Sequence, residues 1–123
     1  YYISNKDKLK LVGVIGGDKA PSKKVVLPNE KTVITGEYYP LSRPIFIYVS
    51  QEAMKKPEVK QYVEFYLDKA AEMAKQVQYI PLPATAYKTA KEHLNKKKIG
   101  TVFGGEPQVG LTIDQIMKKE ATF

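Results

Sequence analysis

Tyr39-Pro40-Leu41-Ser42-Arg43-Pro44-Ile45-Phe46-Ile47-Tyr48-Val49 sets two opposed backbone preferences side by side. Pro40 and Pro44 fix their own φ angles and push the residues before them out of the helical region. Residues 39–44 therefore read as extended or turning chain. Residues 45–49 then run apolar without a break, β-branched or aromatic throughout. Such a run predicts a strand, and the absence of alternating polar residues predicts one buried on both faces. The segment is expected to be the central strand of an α/β domain.

Working outward, Leu9-Lys10-Leu11-Val12-Gly13-Val14-Ile15 reads as a second buried strand, closed by Gly16-Gly17-Asp18. Val25-Val26-Leu27 reads as a short strand or extended piece. Pro28-Asn29-Glu30 predicts a short helix through Ile34, with Gly36 where a left-handed backbone ends it. Beyond the central run the pattern turns helical. Pro57 suits a first helical turn, and Val59, Val63, Tyr66, Ala70, Met73 and Val77 recur at intervals of four and three. One apolar stripe on a long helix follows. Tyr79-Ile80-Pro81-Leu82-Pro83 breaks it, and a second helix is predicted over 84–95 with Tyr87, Ala90 and Leu94 inward. Residues 100–110 are glycine-rich around a possible strand at 101–103. Thr112-x-x-Gln115 is a capping-box signature for a last helix reaching about Lys119.

Composition excludes several kinds of chemistry. The chain of 123 residues has the length of one small domain and no run of apolar residues long enough to span a bilayer as a helix. It has no Cys and a single His, so thiol catalysis, disulfides and Cys- or His-cluster metal sites are excluded. The net charge is +7, but nineteen of the twenty basic residues are Lys. Arg, with its paired donors, is the usual reader of phosphates and base edges, whereas Lys is a solvated point charge. A Lys-rich exterior mixed with nine Glu reads as a soluble surface rather than a nucleic-acid binder. Lys96-Lys97-Lys98 is a candidate contact for an acidic partner.

The chemical motifs fail on inspection. Gly13-Val14-Ile15-Gly16-Gly17 lacks dinucleotide spacing and reads as a turn. Gly100 and Gly105 are spaced as in a P-loop, but Glu106-Pro107 stands where Lys-Ser/Thr is needed. Ser4, Ser22, Ser42 and Ser50 sit in no nucleophile motif. His93, on the polar side of its predicted helix beside Glu92, reads as a solvated histidine. Glu58, Glu64, Asp68 and Glu72 alternate with Lys60, Lys69 and Lys75, which predicts a salt-bridged solvent face rather than a catalytic pair. The nine Tyr and four Phe are expected mainly in the core, not as a base-stacking platform. No catalytic residue, cofactor or metal is predicted.

The block at 39–49, the following Pro57-Glu58-Val59 helix and its closure by Tyr79-Ile80-Pro81-Leu82-Pro83 resemble the C-terminal part of phosphate-binding proteins. These are the extracytoplasmic substrate-binding subunits of phosphate ABC transporters. Tyr1-Tyr2 and Asn5-Lys6-Asp7-Lys8-Leu9-Lys10 resemble the stretch feeding a strand of the second lobe. The resemblance runs in order over nearly the whole chain. It implies a partial, type II periplasmic-binding-protein-like α/β fold of two lobes, of which this is a C-terminal fragment. Residues 1–41 would then belong to the second lobe and crossover, and residues 42–123 to the return into the first lobe.

The same resemblance implies a protein that captures inorganic phosphate and delivers it to an ABC permease, in the periplasm or lipid-anchored at the cell surface. Phosphate in that family is held by helix N-termini, Ser and Thr hydroxyls, an Arg and an Asp. The Gly-Ser/Thr-rich motifs that supply them are absent here, so no ligand is carried over. Ser42 and Arg43, the one Ser-Arg pair near the implied cleft, are the candidates for a ligand-adjacent or hinge position. Tyr1-Tyr2 opens without a basic-then-apolar leader, and its aromatics lack a preceding partner element, which reads as an element cut midway. A severed sheet predicts self-association, or pairing with the missing N-terminal half. The remaining alternatives are a self-associating structural module and, less favoured by the lone Arg, a Lys-rich nucleic-acid-binding domain.

Overall fold

The computed structural model describes residues 1–103, 105 and 111–122. Four α-helices appear among them: α1, Glu30–Ile34; α2, Pro57–Gln76; α3, Ala84–Asn95; and α4, Ile113–Thr122. Two 3₁₀ turns, Ile3–Asn5 and Ala53–Lys55, complete the regular elements. The chain divides into two compact units. One holds residues 1–43 and 111–116, the other the described residues of 44–107 together with 117–122.

In the first unit, α1 exists because its start is doubly capped. The Thr32 N–H donates to Asn29 Oδ1 at 3.0 Å, and the Asn29 N–H donates to Thr32 Oγ1 at 3.0 Å. This reciprocal arrangement satisfies donors that a five-residue helix leaves without intrahelical partners. Gly36 ends the helix with φ at 73°, and a Cβ there would stand 3.0 Å from Thr112 Cγ2. Both the left-handed backbone and the close Thr112 favour glycine. The predicted strand at 9–15 contracts to one antiparallel bridge, Val14 to Val26. Val26 is buried, whereas Val12 and Ile15 are mostly exposed. Gly17, with φ at 73°, forms the expected turn.

The second unit is a helical hairpin. Lys56 is extended before Pro57, which opens α2 at its first position. Gln78, with φ at 62°, turns the chain out of α2, and the Leu82 N–H donates to the Tyr87 hydroxyl at 3.1 Å to orient the start of α3. Val63 on α2 and Ala86 on α3 are buried. An ion pair between Lys91 and Asp68 ties the helices together. On the solvent face Lys60 meets Glu64 at 3.7 Å and Lys69 meets Glu72 at 3.0 Å, the predicted salt-bridged pattern. In the first unit, Thr112 and Gln115 form the predicted capping box of α4. The Thr112 N–H donates to Gln115 Oε1 at 2.9 Å and the Gln115 N–H to Thr112 Oγ1 at 3.2 Å.

The described residues are helical and contain no named strand, which corrects the α/β expectation at three places. Residues 45–49 are not a buried central strand: Ile45 is 69% and Tyr48 83% exposed. Residues 9–15 are not a buried strand either, and 101–103 carry no strand pairing. The common cause is that a strand satisfies its backbone donors and acceptors only through a neighbour. Among the described residues, no neighbour pairs with 45–49. The aromatic expectation also fails. Tyr1, Tyr48, Tyr62, Phe65 and Tyr79 are each more than half exposed. Of the glycine-rich stretch at 100–110, residues 104 and 106–110 lie outside the described residues.

Candidate functional site

Ser42 and Arg43 stand at the end of the first unit's N-terminal stretch, just after the cis Tyr39–Pro40 peptide. The Ser42 N–H donates to the Tyr38 carbonyl at 2.9 Å, closing a turn across Pro40. This leaves Ser42 half-buried and Arg43 exposed. Nearby, a Cβ on Gly16 would come 2.8 Å from the Tyr39 carbonyl oxygen and 2.6 Å from the Ala20 Cβ. Only glycine permits that approach, so the Gly16-Gly17 turn is packed against the 38–43 turn. The sequence read these glycines as a turn. Their contact with Tyr39 has no sequence signal.

In the second unit the run at 45–49 is held in two ways. The Phe46 and Phe103 rings meet edge-on, with centroids 5.3 Å apart. The following residues border an open apolar groove of about 330 Å³, formed with α2 and lined by Ile47, Val49, Val59, Tyr62, Val63 and Tyr66 among others. Ser50 also lines it, accepting the Ala53 N–H on its hydroxyl at 3.4 Å. The predicted stripe of α2 is real but only half covered. Val63 is buried, whereas Tyr66, Met73 and Val77 are exposed.

His93 is the clearest departure among the chemistry-bearing residues. Its Nδ1 lies 3.0 Å from Glu120 Oε2, and the two side chains are 18% and 24% exposed. It is therefore not a solvated histidine, since Glu120 of α4 stands against it. Nothing in the spacing of residue 93 from residue 120 announces that contact. Ser22 and Ser50 use their hydroxyls to accept backbone N–H groups within turns. Among the described residues no group of three His, Asp or Glu converges as a metal site would require. No described helix is long and apolar enough to cross a membrane. The described residues of the first unit offer turns and those of the second an apolar groove and lysines, and among them no set of directed donors is assembled.

The chain is 46% identical to protein SphX of Synechocystis sp. over a 124-residue alignment that takes in all of the chain and 35% of that protein. It is 42% identical to protein SphX of Synechococcus elongatus over 120 residues, 98% of the chain and 34% of that protein. The phosphate-binding protein PstS of Staphylococcus aureus is 36% identical over 95 residues, 76% of the chain and 28% of that protein. The chain thus spans about a third of the length of the curated relatives it matches. No protein-family model matches it, and no solved structure does.

Proposed function

We propose that this chain is the C-terminal portion of an extracytoplasmic phosphate-binding protein, which captures inorganic phosphate and hands it to an ABC permease without chemistry on the ligand. The observation that carries the reading is similarity along nearly the whole chain to the SphX proteins, with a phosphate-binding PstS among the more distant relatives. In this reading the complete protein is a two-lobed α/β molecule. Residues 1–41 belong to its second lobe and crossover, and residues 42–123 return to the first. Ser42 and Arg43 then lie at a hinge or beside the cleft, a place that suits the sharp turn at 38–42. Phosphate itself is held mainly by the rest of such a protein.

A specific site needs several directed donors around one dehydrated anion, and lysines on a surface do not make that set. The isolated 123-residue chain should accordingly show no saturable phosphate binding tighter than about 1 mM in calorimetry, or about 4 kcal/mol. Adding the remaining two thirds of a close relative, in trans or as a fusion, should restore a tight site. Micromolar binding by the chain alone that excludes sulfate would overturn the division of labour. Failure of the complemented protein to bind phosphate would overturn the function.

One observation favours a second reading, a self-associating module. Many large apolar side chains lie exposed, Ile45, Tyr48 and the groove-lining Tyr62 among them. A second copy covers such a surface as readily as a missing lobe does.

A further inference from the structure

Lysines concentrate at one end of the helical unit. Between residues 84 and 103 there are five Lys and one Glu. Lys91 pairs with Asp68. Lys96, Lys97 and Lys98 follow α3 in an ordered turn. Their N–H groups donate to the carbonyls of Glu92, Leu94 and His93 at 2.9, 3.1 and 3.0 Å. Lys97 adopts φ of 53°, which turns the chain sharply there. All three are exposed, and so is the next residue, Ile99, at 67%. Three successive lysines thereby stand beside one exposed aliphatic side chain.

Lysine near a helix C-terminus has an ordinary role, offsetting the partial negative charge of the last carbonyls. That role does not account for three lysines in succession followed by an exposed isoleucine. Lys offers charge without the fixed fork of Arg, so it suits an anionic surface whose groups can rearrange around it rather than one rigid acidic site. An aliphatic residue beside the charges adds burial at a bilayer interface. We infer that Lys96-Lys97-Lys98-Ile99 is a contact surface for anionic phospholipid headgroups. This goes beyond phosphate capture and does not depend on it.

Sedimentation of the chain with vesicles of phosphatidylglycerol and phosphatidylcholine in equal parts, and with pure phosphatidylcholine, tests it. The chain should bind the first, weaken with added salt, and leave the second. A K96Q/K97Q/K98Q variant should lose about fivefold in partitioning per lysine, or about a hundredfold in all. The control K6Q/K8Q/K10Q removes the same charge from exposed positions in the other unit and should lose far less. Ile99→Ser, which leaves every charge in place, should weaken binding several-fold and keeps the test open if the triple variant loses helix content by circular dichroism. Equal losses in the two triple variants would reduce the effect to net charge and overturn the inference. So would equal binding to both vesicles, or binding to neither, the result expected if the lysines merely end helices or face an acidic protein.

Discussion

Val63 and Phe46 show how far a side chain's worth depends on what surrounds it. Both belong to strongly apolar stretches, yet Val63 is 5% exposed and Phe46 42%. Val63→Ala removes buried methyl groups from α2 beside the apolar groove and should cost about 1.5–3 kcal/mol. A fully buried Phe46 would cost about 3–5 kcal/mol on truncation to Ala. Here its chief definite contact is the edge-on Phe103 ring, and such pairs contribute about 0.5–1.5 kcal/mol. Phe46→Ala should thus be the milder change in urea denaturation of the isolated chain, at about 1 kcal/mol. A loss of 3 kcal/mol or more would restore the buried central strand.

At the scale of elements, stability is concentrated at helix ends and at cross-helix pairs. Thr112 and Gln115 satisfy two donors at the start of α4, and Thr112→Ala should cost about 1 kcal/mol and lower the helix signal in circular dichroism. An unchanged helix signal and an unchanged denaturation midpoint would show that the box contributes nothing. The far end of α4 is attached to α3 through His93 and Glu120. Both side chains are largely covered, so a double-mutant cycle with His93→Ala and Glu120→Ala should return a coupling of about 1 kcal/mol. Additive losses would mean that the two side chains do not act on each other.

The whole molecule is short of interior. Among the described residues the buried apolar side chains are Val26, Val63, Ala86 and Ile116, while Ile45, Leu41, Val12 and Ile99 remain mostly exposed. Leaving this much apolar surface in water forgoes the main driving force for folding. The chain by itself should therefore associate at micromolar concentration, and light scattering should find a dimer or larger species. Ile47→Ser, on the rim of the groove, should shift that equilibrium toward monomer. A monomer with a cooperative melt would instead mark a self-contained domain.

The helices were legible because their causes are local. The Asn29–Thr32 and Thr112–Gln115 boxes, Pro57 at the head of α2 and the breaks around Pro81 and Pro83 all act within a few residues of themselves. The strands were not legible in the same sense. The apolar run at 45–49 and the stretch at 9–15 carry strand propensity, but pairing requires a partner distant in sequence, and propensity alone does not provide one. Ser42 and Arg43 were singled out by a family resemblance, not by any chemistry their neighbours announce. Tertiary structure alone decided that His93 meets Glu120, that Lys91 reaches Asp68, and that Gly16 lies against the carbonyl of Tyr39. The sequence by itself determined what short-range hydrogen bonding and periodicity enforce; contacts between residues far apart in the chain depend on how whole elements pack, and only the folded structure specifies that.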